Sequence, residues 1–216
     1  MPEYTVKQGD TLPKIAAKHG FQDYQTICNH PQNSTLKKKR QNPNILYPGD
    51  KVFIPEKDGK EVSGGTDQKH TFKRKGKPLI LRIKLVDMRN KPLAGADCEL
   101  HIEGNVYCLT SDSQGRIEHE IPPSAEDGRL VVKNPAAPPE GIPIRIGHLD
   151  PIEEVSGWKA RLNNLGYNAG PIDDKETEPL RSAVEEFQID HFKDPAQVDG
   201  KCGPKTQAKL KEVHGC

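Results

Sequence analysis

The chain has 216 residues and a mass of 24.0 kDa, which fits either one large domain or two to three small ones. Hydrophobic residues make up 33% and aromatic residues 5%, while 19 glycines and 19 prolines interrupt the sequence. This composition favours several small, loop-rich domains over one deep core. The mean hydropathy of −0.78, with no apolar run near roughly 18 residues, excludes a membrane-spanning helix.

The formal net charge is only +1, from 32 basic and 31 acidic residues. This balance argues against nucleic acid as the main partner, because phosphate backbones are bound by an excess of Lys and Arg. The charge is nevertheless unevenly spread. Residues 1–57 hold 9 basic and 5 acidic residues, residues 58–150 hold 14 of each, and residues 151–216 hold 9 and 12.

The first residues and the cysteines bear on where the chain is made. The sequence from Met1 to Val6 has neither the basic nor the apolar region of a secretory signal peptide, so we expect synthesis in the cytoplasm without general export. Five cysteines are an odd number, and none forms a C-x-x-C unit: Cys28, Cys98, Cys108, Cys202 and Cys216. We expect separate reduced thiols, with a bridge between Cys202 and Cys216 as the open alternative.

The first 57 residues predict a strand, two helices and a second strand. Short alternating runs indicate the strands at 4–6 and 52–54. Thr11 is suited to cap the first helix and Gly20 to end it. The second helix is predicted to start near Asp23.

Two motifs in this segment, Tyr4 to Leu12 and Asn42 to Pro55, resemble the opening and the close of a LysM domain. The resemblance implies a βααβ fold that binds N-acetylglucosamine-containing glycans, peptidoglycan or chitin, in a shallow groove between two loops. Carried over to this sequence, it implies a glycan-binding site of nine residues: Gly9, Asp10, Thr11, Leu12, Asn44, Ile45, Leu46, Tyr47 and Pro48. The chemistry agrees, since glycine allows close backbone approach and apolar side chains can contact an acetyl methyl group. The same residues also have a structural explanation as turn and helix-cap positions.

The segment departs from that family in two places. Pro13 stands where the family usually has Trp or another large residue, and the central stretch from His30 to Gln41 is longer. That stretch contains the basic run Lys37 to Arg40, which has no interleaved aromatic residues. We interpret the run as a solvated helix end, with an acidic wall polymer or an acidic partner as the alternative.

Residues 58–150 predict a linker followed by a β-sandwich. The linker is polar and glycine-rich, from Glu56 to Gly76. Five short alternating runs separated by turn residues indicate strands at 78–86, 96–103, 106–111, 116–121 and 129–133. Strands of this length at regular spacing favour a small β-sandwich.

The stretches 86–96 and 110–116 resemble immunoglobulin-like or prealbumin-like modules, which repeat as spacers in bacterial surface and secreted proteins. This resemblance concerns fold and implies no function. We place the end of the sandwich at 150, with the proline-rich stretch 134–139 as an alternative boundary.

Histidines and glutamates of the sandwich offer a conceivable metal or acid–base cluster. They are His101 and His119 with Glu99, Glu118 and Glu120. We favour a plainer explanation, because a two-faced sheet turns many polar residues outward for solubility alone. No Ser/His/Asp, Cys/His or H-E-x-x-H arrangement is recognised, so the sequence predicts no catalytic site, no metal and no cofactor.

From Ile152 onward the pattern becomes helical. Apolar residues recur at intervals of three and four from Val155 to Leu165 and predict a helix that ends at Gly166. A second helix is predicted over 179–191, and a third opens at Gly203-Pro204. We expect three short helices around one core.

Three blocks of this segment, at 160–173, 183–188 and 198–206, are similar to the peptidoglycan-binding three-helix domain often appended to wall hydrolases. The resemblance implies wall contacts from the loops and from a shallow apolar cleft near four residues: Tyr167, Phe187, Gln188 and Asp199. Each of these also has an explanation as a core or turn residue. The loop 174–179 departs from the family's usual Asp-Gly and Gly-Pro pattern.

These observations predict an α+β chain of three domains: a βααβ LysM domain at 1–57, a linker and immunoglobulin-like sandwich at 58–150, and a three-helix peptidoglycan-binding domain at 151–216. The expected function is non-catalytic binding of peptidoglycan or its fragments by the two terminal domains, with the sandwich as a spacer. Two linked weak sites can raise avidity by roughly 10²–10⁴-fold.

The layout also resembles proteins that accompany type VI secretion or phage-tail-like injection machines. This implies an accessory protein that such a machine delivers to the bacterial cell wall or periplasm. The alternative is an adaptor that docks on a spike or effector protein and uses these folds for protein contacts, and a wall-hydrolase accessory is the third hypothesis. Neither nucleic acid nor a membrane span is expected.

Overall fold

The computed structural model describes residues 3–57, 66–67, 69, 78–87, 89–134, 138 and 140–216. Buried apolar side chains in these residues form three separate cores, one in each of three modules. The α+β multidomain prediction is confirmed. The predicted linker 56–76 lies largely outside the described residues. Among the helices that are described, none has both the length and the apolar character needed to cross a membrane.

The N-terminal module packs its helices on a two-stranded antiparallel sheet. Its elements are β1 (Glu3–Thr5), α1 (Leu12–Lys18), α2 (Gln25–Cys28), a 3-10 turn (Pro31–Asn33), α3 (Ser34–Lys39) and β2 (Lys51–Phe53). β1 pairs with β2 so that Tyr4 lies opposite Val52. Ile15, Ile27 and Val52 are fully buried in the core. The module thus has the predicted strand, helix, helix, strand order, with α3 as an addition.

A buried amide holds the 3-10 turn against α2 and β2. The Nδ2 atom of Asn33 donates to the carbonyl oxygens of Ile27 and Phe53, both at 2.8 Å, and its Oδ1 atom accepts from the amide of Phe53 at 2.8 Å. Asn33 is only 2% exposed, so these bonds satisfy the polar groups that burial would otherwise leave without partners. Asn33 therefore fixes the turn against β2, immediately before α3 begins.

The middle module consists of two antiparallel sheets around one core. Its strands are β3 (Leu79–Lys84), β4 (Asp97–Ile102), β5 (Asn105–Thr110), β6 (Arg116–Ile121), β7 (Asp127–Val132) and β8 (Ile142–Arg145). β3 and β6 form one sheet, and the other has the order β5-β4-β7-β8. Leu79, Leu81 and Ile83 alternate with exposed neighbours and pack on the core, as the sequence predicts.

The strand β8 has no counterpart in the sequence predictions. It pairs with β7, with Ile142 opposite Leu130. The proline-rich stretch 134–139 therefore lies within this module rather than at its end, although residues 135–137 and 139 are outside the described part. The strand escapes pattern analysis because it has only four residues and contains Pro143, which lacks an amide donor.

The C-terminal module is the predicted bundle of three helices. Its elements are α4 (Val155–Asn164), α5 (Glu178–His191), a 3-10 turn (Pro195–Gln197) and α6 (Pro204–His214). Gly166 adopts a φ of +95° just after α4, a conformation that favours glycine at helix ends. Leu162, Phe187 and Leu210, one from each helix, have no exposed surface.

All five cysteines are free thiols, so the Cys202–Cys216 bridge left open by the sequence is absent. Burial raises the pKa of Cys202 to about 12. A protonated, buried thiol is a poor nucleophile. Cys202 is therefore a core residue of the C-terminal module.

Candidate functional site

Two loops of the N-terminal module contain the predicted glycan-binding residues: the first loop, residues 7–12, and the second loop, residues 43–50. Asp10 holds the first loop, because its Oδ2 atom accepts from the amide of Lys7 and from the hydroxyl of Tyr4, both at 2.8 Å. Burial and the Asp10 carboxylate raise the pKa of Tyr4 to about 12. Thr11 caps α1 by accepting from the amide of Lys14 at 3.2 Å, as predicted.

Asp50 anchors the second loop. Its Oδ2 atom accepts from Arg40 Nε at 2.7 Å and from the amide of Tyr47 at 3.0 Å. Burial acts to raise the pKa of Asp50, but these hydrogen bonds outweigh burial and lower the pKa below its usual value. Only 4% of the Arg40 side chain and 6% of the Asp50 side chain are exposed. Arg40, at the end of the basic run, is therefore a buried structural residue rather than part of a solvated helix end.

The nine predicted residues divide into a buried set and an exposed set. The buried residues are Gly9, Asp10, Thr11, Leu12, Ile45 and Leu46. Asn44 and Pro48 are exposed and Tyr47 is half-buried. Among the nine predicted residues, the surface available to a ligand in this state therefore belongs to the second loop.

The first loop is covered by the segment that joins the middle and C-terminal modules, residues 147–150, which we call the connector. A methyl group at Gly9 would lie 2.8 Å from Nε2 of His148, and one at Gly147 would lie 2.6 Å from the carbonyl oxygen of Gly9. At Gly147 the neighbour is backbone, so this close approach requires glycine there, whereas at Gly9 the neighbour is the ring of His148, which lies directly over the backbone. Their φ angles, +84° for Gly9 and +81° for Gly147, also favour glycine.

Polar contacts flank this glycine pair. Gln8 Nε2 donates to Asp150 Oδ1 at 3.2 Å, which joins the first loop to the connector. Lys14 Nζ lies 2.5 Å from Glu126 Oε1 of the middle module. The Lys14 ammonium group lowers the pKa of Glu126 below its usual value. The first loop is thus packed against the connector and the middle module of the same chain.

The N-terminal and C-terminal modules also contact each other directly. Tyr47 donates from its hydroxyl to Asp174 Oδ2 at 3.4 Å, and Arg40 Nη1 lies 3.9 Å from Glu153 Oε2. Partial burial and the carboxylates of Asp174 and Glu154 raise the pKa of Tyr47. The middle module therefore does not hold the terminal modules apart, as a simple spacer would.

The four predicted wall-contact residues of the C-terminal module lie in or next to its core. Phe187 is fully buried, and its ring packs edge-on against Tyr167 at 5.6 Å between centroids. Gln188 Nε2 lies within hydrogen-bond distance of Asp199 Oδ1, at 2.9 Å, and of Thr206 Oγ1, at 3.0 Å. The Gln188 hydrogen bond lowers the pKa of Asp199. Only Asp199 of the four is exposed.

Sequence analysis missed two buried cationic residues in α4. Lys159 is fully buried and its Nζ atom lies 2.6 Å from Asp173 Oδ1. Arg161 donates to the carbonyl oxygens of Asp150 and Gly157 at 2.8 and 2.9 Å. Burial lowers the pKa of Arg161. The apolar spacing of α4 was the only signal in the sequence, and it gives no indication of a buried charge.

The histidines and glutamates considered as a metal or acid–base cluster of the middle module do not come together in one site. His119 lies on β6 and packs its ring on Tyr107, at 4.3 Å between centroids. His101 lies on β4 in the other sheet, with Glu99 Oε2 at 3.6 Å. Across the residues that the structure describes, no group of three or more His, Cys, Asp or Glu side chains could hold a metal ion.

Comparison with protein families matches two parts of the chain. Residues 4–27, which contain the first loop, match the family described as LysM domain. Residues 153–210, which contain α4, α5 and the first part of α6, match the family described as "Putative peptidoglycan binding domain". The chain carries a LysM module and a peptidoglycan-binding module. Comparison with curated proteins and with solved structures gives no significant match.

Both matched families are binding modules rather than catalytic domains. Peptidoglycan binding is therefore the function that the comparisons support for this chain. The LysM match ends before the second loop, where the exposed residues of the predicted glycan-binding set lie. The middle module lies between the two matched segments.

Proposed function

We propose that this protein binds the N-acetylglucosamine-containing glycan of peptidoglycan without cleaving it, through its LysM and peptidoglycan-binding modules. The observation that carries the proposal is the direct contact of two modules from peptidoglycan-binding families, through Tyr47 and Asp174. Two adjoining weak sites can engage one polymer together, which raises avidity without a new contact.

On the LysM module the proposed contact surface is the exposed part of the second loop. Asn44 offers an amide for hydrogen bonds to sugar hydroxyl or acetyl groups, while Tyr47 and Pro48 offer apolar surface for a sugar ring. Leu12 and Leu46, at 3% exposure each, support these loops from the core. On the peptidoglycan-binding module, Asp199 is the predicted residue that can be reached from solvent.

Retention on purified peptidoglycan sacculi tests this proposal. The full chain should sediment with sacculi, and Asn44→Ala combined with Tyr47→Ala should reduce the bound fraction several-fold. Asn105→Ala is the matched control, since Asn105 is an exposed asparagine in the middle module. No retention of the full chain at low salt would contradict the proposal, and release of labelled fragments from the sacculi would contradict its non-catalytic part.

A second candidate is an adaptor that uses these folds for protein contacts. The observation that favours it is the first loop of the LysM module, which packs on protein at Gly147 and His148. Co-purification with a spike or effector protein, without retention on sacculi, would support the adaptor. Delivery to the wall by a secretion or injection machine is compatible with both proposals. The modular layout of the chain is its only support.

A further inference from the structure

The connector covers the one loop that the LysM match and the sequence motif both include. Gly9, Asp10 and Thr11 are buried, and Thr11 is only 3% exposed. A glycan cannot reach backbone groups that another backbone already covers. We propose that the connector and glycan compete for the first loop, so that the protein is self-inhibited and binds glycan fully only when the connector moves away. The inference rests on the proposed glycan binding.

The connector is held in place from both ends. Ile146, just before it, packs in the core of the middle module, and Ile152, just after it, packs in the core of the peptidoglycan-binding module. Arg161 also binds the carbonyl oxygen of Asp150 at 2.8 Å. The four connector residues are therefore presented to the first loop by two folded modules, and they leave it when the LysM module moves away from those modules.

The contacts across this boundary are suited to reversible opening. His148 is half-buried over Gly9, and the Glu126 side chain that pairs with Lys14 is 64% exposed. The Lys14 side chain is 19% exposed, and an ion pair with one partner largely in solvent holds surfaces together only weakly. No residue of the connector belongs to the apolar core of the LysM module. Opening therefore costs the packing of Gly147 and His148 on the first loop and a few polar contacts, and it leaves all three cores intact.

Competition makes a quantitative prediction. When the binding-competent form is only a fraction of the population, the apparent affinity falls by that fraction. A connector that covers the loop about nine-tenths of the time weakens glycan binding about tenfold. Loosening the connector should therefore strengthen binding, although it adds no contact with the ligand.

The test uses the full chain and an N-acetylglucosamine tetramer as the probe, with affinity measured by calorimetry. The variant His148→Ala, Glu126→Gln removes the connector's histidine over Gly9 and the middle module's ion pair with Lys14. It leaves all nine predicted glycan-binding residues unchanged. We expect it to bind the tetramer several-fold to about tenfold more tightly than the parent. The matched control is His101→Ala, Glu118→Gln, which makes the same two changes on β4 and β6.

Hydrogen exchange at the amides of residues 8–12 provides a second, ligand-free measurement. Exchange should speed up in the connector variant and stay unchanged in the control. Equal or weaker tetramer binding by the variant would overturn competition while leaving the proposed glycan binding intact. A third outcome is that exchange shows the first loop to be open in the variant, yet neither the variant nor the parent binds the tetramer. That outcome would contradict glycan binding by the LysM module and, with it, the proposed competition.

Discussion

The amide of Gln188 connects α5 to the loop before α6 and to α6 itself. Its Oε1 atom accepts from the backbone amides of Asp199 and Gly200 at 2.9 and 3.0 Å, and its Nε2 atom reaches Thr206. Gln188 is 1% exposed and Thr206 is 4% exposed, so this amide needs its protein partners. This residue is better explained as an anchor of the fold than as a direct wall contact.

We therefore expect Gln188→Leu to lower the free energy of unfolding by about 2–4 kcal/mol, since it removes several hydrogen bonds at once and takes a partner from the buried hydroxyl of Thr206. Urea denaturation followed by circular dichroism measures this change. Gln197→Leu is the control, because Gln197 lies in a 3-10 turn with no fully buried residue and should change stability by less than about 1 kcal/mol. Equal effects of the two substitutions would contradict the anchoring role.

Gly9 shows what a motif residue can and cannot reveal. The sequence predicts a position that another group approaches closely, and the close approach is present. The approaching group, however, is Gly147 with His148 rather than a ligand. A glycine indicates that space is needed at a backbone position, but not which molecule occupies that space.

At the scale of helices and strands, local signals determined what could be predicted. Thr11 at the start of α1, Gly166 after α4 and Pro204 at the start of α6 act within a few residues, so each end was located from sequence. α3 has a single buried apolar residue, Leu36, and is fixed by Asn33 and by the Arg40–Asp50 pair. Such elements depend on partners distant in sequence and leave no periodic pattern.

His214 makes the packing of α6 on α4 dependent on pH. Burial, with the positive charge of Arg161, lowers the pKa of His214 from 6.5 to about 4. Between these values the unfolded chain binds the proton more readily than the folded one, so the contribution of His214 to stability is fully present above pH 6.5 and is lost as the pH drops toward 4. At 1.36 kcal/mol per pKa unit, the loss is at most about 3 kcal/mol.

Replacement of this histidine should remove that part of the pH dependence. We expect His214→Gln to show a smaller fall in unfolding free energy between about pH 7 and 4.5 than the parent chain, measured by urea denaturation. Carboxylates titrate in both proteins, so the difference between the two slopes isolates His214. His101→Gln is the control, and a slope for His214→Gln equal to that of the parent and this control would contradict the assignment.

At the scale of the whole molecule, the contacts between modules differ in kind from those within them. Each module has its own apolar core, whereas the LysM module meets the other two through the packing of Gly147 and His148 on Gly9 and through polar and charged pairs. These pairs join residues far apart in sequence, such as Gln8 with Asp150 and Tyr47 with Asp174. Sequence analysis could locate the modules by their local patterns but had no means to bring these surfaces together.

This difference predicts that salt loosens the arrangement of modules without unfolding any of them. At about 1 M salt the Debye length is roughly 3 Å, so attraction between exposed charges is largely screened. A zero-length carbodiimide cross-link between Lys14 and Glu126, which lie 2.5 Å apart, should form at low salt and decline steeply at high salt. Peptide mapping by mass spectrometry measures its yield.

The pair Lys133 and Glu99 provides the internal standard, because its atoms lie 2.9 Å apart within the middle module. Both pairs are partly exposed and lose attraction in salt, but the backbone of one folded sheet keeps Lys133 near Glu99. Its cross-link should therefore persist while the Lys14–Glu126 cross-link is lost. A parallel decline of both cross-links would reflect the effect of salt on the reagent. If the Lys14–Glu126 cross-link is undiminished at high salt, the prediction that charge pairs hold the LysM module against the middle module is contradicted.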